Sequence, residues 1–67
     1  MRFIGTQKER DALNHALACR EAVLARRVQT HAADGNASAA FKQEQELKLV
    51  ARMRAELKLD GENCVVV

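Results

Sequence analysis

Two long stretches without proline, divided by one cluster of turn formers, set the pattern of this chain. The first, residues 7–33, also lacks glycine and is rich in Ala, Leu, Arg and Glu, all good helix formers. Leu13, Leu17, Leu24 and Val28 fall on one stripe at helical spacing, with Ala12, Ala16, Cys19 and Val23 flanking it on one side. Arg20 and Arg27 project from the same face. A buried, unpaired guanidinium is costly, so each should reach a carboxylate, a rim or an external ligand. In the second stretch, 39–59, the residues Ala39, Gln43, Glu46, Val50, Met53 and Leu57 are alternately four and three apart, the rhythm of a coiled-coil seam. Leu47 and Leu49 widen that seam, whereas Phe41 and Leu59 lie on the side of the second arm away from Val50.

Asp34-Gly35-Asn36-Ala37-Ser38 joins the two arms. Gly35 and Asn36 tolerate left-handed backbone angles and can end one helix, while Ser38 can cap the next. At the start, Met1–Gly5 is an apolar lead-in, and Thr6 with Glu9 three residues on forms a capping-box signature. Phe3 or Ile4 can pack back on the first helical turn. At the other end, Asp60-Gly61-Glu62-Asn63 stops the second helix, and Cys64-Val65-Val66-Val67 is a β-branched tail able to dock beside Phe3 and Ile4.

These signals predict an all-α antiparallel helical hairpin in a single domain, 1–67. Its parts are a helix over 7–33, a turn over 34–38, a helix over 39–59 and a tail over 60–67. Folding at Gly35 brings Arg27 near Gln43 or Glu46, and Leu13 and Leu17 near Met53 and Leu57. The half nearer the turn is then polar and the open end oily. A pairing of Arg20 or Arg27 with Glu46 satisfies both seams, and such a pair contributes more to register than to net stability.

Sixty-seven residues make one small domain, and an isolated helix pair of this size encloses little core. Two cysteines, one mid-arm and one in the tail, suggest no secreted disulfide framework. A partner chain is therefore the expected source of stability, and a second copy is the first choice. Hence the hairpin is expected to dimerise into a four-helix bundle. A formal net charge of +2 does not by itself argue for nucleic acid, since acidic residues offset the 11 Lys and Arg. Phe3 and Phe41 are the only aromatic residues, too few for a base-stacking platform. No apolar run approaches the roughly 20 residues of a membrane-spanning helix, and no signal-peptide pattern is present. A cytoplasmic protein without membrane attachment is the expectation.

Candidate chemistry is sparse. His15 and Cys19, four apart, share one side of a helix and offer half a metal site, but His31 and Cys64 do not complete it. As nucleophile and base, the pair lacks a third orienting group. The expectation is no enzyme activity, no metal and no cofactor. The last four residues formally fit a prenylation signal, yet a terminal Val and the acidic Asp60-Gly61-Glu62 upstream favour a tail that packs on its own domain. The basic residues are interleaved with Glu21, Glu44, Glu46 and Glu56, and Glu44 with Lys48 is an ordinary i,i+4 pair. Arg20, Arg27 and Arg54 sit close to the seams, where paired protomers could gather them into a basic strip.

The stretch from Thr6 to Ala16, notably Thr6, Glu9, Ala12-Leu13-Asn14 and Ala16, resembles the start of the first helix of the Rop (Rom) family of plasmid copy-number regulators. Asp34 falls where that family has an Asp in its turn, and Asp60-Gly61-Glu62-Asn63 is similar to its tail. The resemblance implies a homodimeric antiparallel four-helix bundle that binds paired RNA hairpins across the first helices. The RNA-facing Asn is kept as Asn14, whereas the family's essential aromatic position falls on Ala18 and its other polar contacts on Gln7, Ala22 and Gln29. Gly35 in a short turn followed by Phe41 is also similar to the small helical-hairpin co-chaperones of type III secretion, which implies a heteromeric partner.

The expected function is non-enzymatic: a small regulator or adaptor acting through helix–helix association as a homodimer. Leu13, Leu17, Leu24, Val28, Val50, Met53 and Leu57 form the association seam. Asn14, Arg20, Arg27, Phe41 and Arg54 are candidate contacts to a partner protein or to RNA.

Overall fold

A computed structural model describes residues 2–58 and 64–67. The helical hairpin is present: α1 spans Gln7–Ala33 and α2 spans Ala37–Leu57, packed antiparallel along their lengths. The start of α1 follows its capping signals. The Thr6 hydroxyl accepts from the Glu9 backbone N–H at 3.1 Å, and Glu9 Oε1 accepts from the Thr6 N–H at 2.9 Å. Two of the four donors stranded at a helix N-terminus are thereby satisfied.

The turn is tighter than the predicted 34–38. Asp34 ends α1, and Gly35 takes the left-handed conformation with φ 74°. Asn36 N–H then bonds His31 C=O at 2.8 Å, and Gly35 N–H bonds Ala32 C=O at 3.1 Å. This crossed pair is the Schellman arrangement that closes orphan carbonyls. Asn36, not Ser38, caps α2: its Oδ1 accepts from Ala39 N–H at 3.2 Å. Because Asn36 serves both helices, the second one starts immediately on Ala37, two residues earlier than expected, and Ser38 lies inside its first turn. At the far end α2 closes at Leu57 with Lys58 as C-cap. The expected Leu59 end, and the Asp60–Asn63 stop, lie outside the described residues.

The open end departs from a purely α-helical chain. Phe3–Gly5 (β1) and Cys64–Val66 (β2) pair as a two-stranded parallel sheet, in register Phe3 with Cys64, Ile4 with Val65 and Gly5 with Val66. Val67 N–H extends the ladder to Gly5 C=O at 2.9 Å. The tail is therefore docked beside the lead-in, as its β-branched composition allowed. Cys64 is fully buried and its thiol donates to Leu57 C=O at 3.4 Å, while Arg10 Nη1 lies 3.8 Å from the same sulfur. Gly5 is buried and cannot be larger without displacement: a Cβ there would stand 2.9 Å from Phe3 Cζ.

Leu24, Val50, Leu57 and Cys64 form the buried core among the described residues. The hairpin measures 47 × 19 × 11 Å, so its thinnest dimension is about one helix diameter. A single layer of this thickness covers its apolar stripe from one side only.

Candidate functional site

The seam between α1 and α2 is where the candidate residues meet. On α2 the inward positions are Ala39, Gln43, Glu46, Val50, Met53 and Leu57, all buried or half-buried. The matching row on α1 is Arg10, Asn14, Leu17, Glu21, Leu24, Val28 and His31, also alternately four and three apart. The expected flank of Ala12, Ala16, Cys19 and Val23 is exposed instead. Alanine-rich helices present apolar surface on several sides, so apolarity alone does not select the buried one. The signal lay in the polar members: Asn14 and Glu21 sit in step with Leu17 and Leu24, and α2 carries polar residues at the same rhythm.

Two polar rungs cross the seam. Arg20 reaches Glu46, with Nε at 3.0 Å and Nη2 at 2.6 Å from Oε2. Both side chains remain about two-fifths exposed (42% and 43%), so the pair contributes on the order of 0–1 kcal/mol and mainly fixes register. Arg54 forms the second rung: its Nη1 pairs with Glu21 Oε2, and its Nε donates to Asn14 Oδ1 at 3.2 Å. This rung is more enclosed, and removal of one partner would leave a half-buried charge. Sequence reasoning missed Glu21, which was assigned to the interleaved surface charges. Its seam spacing with Asn14 was the available signal.

The remaining candidates scatter. Arg27 is exposed, and the Glu46 carboxylate is taken by Arg20. Phe41 is 61% exposed beside a hollow of about 390 Å³ lined by Ala32, Gly35, Ala37, Ala40 and Glu44. Gln43 carries a buried side-chain oxygen with no hydrogen-bond partner among the described residues. The half nearer the turn is not uniformly polar, since Leu24 there is fully buried. Leu13, Leu17, Val28 and Met53 are only half-buried, in contrast to Leu24, Val50 and Leu57.

The cap of α1 carries a visible electrostatic effect. The Thr6 backbone amide and then its side chain stabilise the Glu9 carboxylate and hold its pKa below the usual value. His15 Nε2 and Cys19 Sγ stand 3.7 Å apart on the exposed back of α1. No helix among the described residues is long and apolar enough to cross a membrane. The positions implied by the Rop resemblance divide: Asn14 and Ala18 are half-buried, whereas Gln7, Ala22 and Gln29 are exposed. No family model, curated protein or solved structure matches this chain.

Proposed function

We propose that this chain is a small non-enzymatic regulator or adaptor that acts through helix–helix association, first of all with a second copy of itself. The observation that supports this reading is the half-covered seam. Leu13, Leu17, Val28 and Met53 belong to the same stripe as the buried Leu24, Val50 and Leu57, yet they stay partly exposed because the hairpin is one layer thick. A second hairpin laid on that face would supply the missing layer and produce a four-helix bundle. Closed twofold pairing is also the commonest way for a small chain to cover such a stripe.

A Rop-like role in RNA binding is less well supported. Asn14, the residue that resemblance would place on RNA, bonds Arg54, and Arg54 also pairs with Glu21. Arg20 is engaged by Glu46. Three of the candidate contacts are thus satisfied within the hairpin. Exposed Phe41 beside its apolar hollow is the feature that suits a partner protein other than a second copy.

Leu17→Asp tests the seam. Placing a carboxylate in the proposed interface should dissociate the dimer or unfold the chain, read as halved solution mass or lost helicity. Unchanged mass together with unchanged helicity would overturn the proposal. RNA binding that weakens steeply with added salt would instead move the assignment to the nucleic-acid class.

A further inference from the structure

We propose that β2 is a strap that opens and recloses while the two helices stay folded. The open end of the hairpin then has a second state, in which Leu57 and the ladder edge of β1 are bare. The main ties between the helices do not pass through β2. Arg20 pairs with Glu46, and Arg54 pairs with Glu21 and Asn14. Leu24 and Val50 are buried along the seam, the turn closes on His31 and Ala32, and the Thr6–Glu9 cap closes on itself.

The strap is held in few ways. Three of its residues pair with three of β1, and Val67 N–H adds one bond to Gly5 C=O at 2.9 Å. A two-stranded ladder is marginal by itself in water. The outward side chains add little, since Val65 is 38% and Val67 79% exposed, and Ile4, the register partner of Val65, is 62% exposed. Cys64 is the anchor: it is fully buried, and its thiol donates to Leu57 C=O at 3.4 Å. Segments with few buried apolar contacts open locally at a lower free energy than the whole fold. The strap is such a segment, and the helix pair is not. It thereby gates a buried thiol and the backbone edge of β1. The two free cysteines report on this: Cys64 lies behind the strap, whereas Cys19 is exposed.

The test is the reaction of the full, reduced chain with 5,5′-dithiobis(2-nitrobenzoate) over a denaturant series below the unfolding transition, with circular dichroism on the same samples. Cys19 should react at once. Cys64 should follow in a slower phase, absent from Cys64→Ala, that is far faster than loss of helicity. Denaturant should hardly change that phase, because opening the strap exposes little surface. Val66→Gly should speed it roughly fivefold at unchanged helicity, since Gly weakens a strand interior. Cross-linking the register partners, by Ile4→Cys with Val65→Cys oxidised in a Cys19→Ser background, should abolish it. Equal rates for Cys19 and Cys64, or a Cys64 phase that follows global unfolding, would overturn the proposal. So would a phase that Val66→Gly leaves unaltered or that persists in the cross-linked variant. The strap belongs to one chain and the seam dimer is judged by mass, so either reading can fail alone.

Discussion

The two ends of the hairpin are closed by different physics. At the turn end, three consecutive residues do everything: Asp34 ends α1, Gly35 reverses the chain at φ 74°, and Asn36 bonds back to His31 while capping α2. Every partner lies within five residues in sequence. At the open end, closure is long-range. β1 pairs with a strand about sixty residues away, and buried Cys64 covers Leu57 beneath Arg10. Local closure stabilises through backbone conformation and hydrogen bonds alone, whereas long-range closure adds the burial of Leu57 and Cys64 to its strand ladder.

That contrast predicts unequal responses to substitution. Leu57→Ala at the open end removes a fully buried side chain, and cavity plus transfer terms should cost about 2–5 kcal/mol. Chemical denaturation would measure it, and a loss well under 1 kcal/mol would mean the open end carries little of the stability. Gly35→Ala at the turn end keeps every side-chain contact but strains a left-handed position, for an expected cost of about 1 kcal/mol. A loss as large as that of Leu57→Ala would erase the distinction between the ends.

The smallest expected effect is one of pH, at the cap that joins β1 to α1. The folded pKa of Glu9 is depressed, so its contribution is fully present above the unfolded pKa and is lost as pH falls through the folded one. Acidification should therefore loosen the first turn of α1, and Glu9→Gln should show a smaller decline in helicity over the same acid range. Identical pH profiles for the two proteins would show that the carboxylate adds nothing to the cap.

The same contrast explains what could be read in advance. Helix α1, its Thr6–Glu9 box, the reversal at Gly35 and the α2 seam follow from short-range chemistry and periodicity, and all are visible in the sequence. The pairing of Glu46 was narrowed to Arg20 or Arg27, and packing register selected Arg20. The parallel strands were not legible as strands, because three-residue segments carry almost no periodic signal and their pairing is set by where the helices bring them. On α1 the stripe Leu13, Leu17, Leu24 and Val28 marks the buried side, but its flank was not legible: Ala12, Ala16, Cys19 and Val23 are exposed, and the half-buried neighbours of the stripe include Asn14 and Glu21 instead. At α2, Ser38 and Asn36 are both good caps, and the decision went to Asn36 because it directly follows the left-handed Gly35.

The central claim is that a one-layer hairpin leaves its seam half-covered and that a second copy completes it. Solution mass and circular dichroism of the chain, followed together over a concentration series, test this most directly. A strongly helical species of twice the 7.4 kDa chain mass, losing helicity as dilution dissociates it, is the predicted result. A monomer at all concentrations would contradict the claim: if fully helical, the single layer suffices alone, and if weakly helical, the missing layer belongs to another protein.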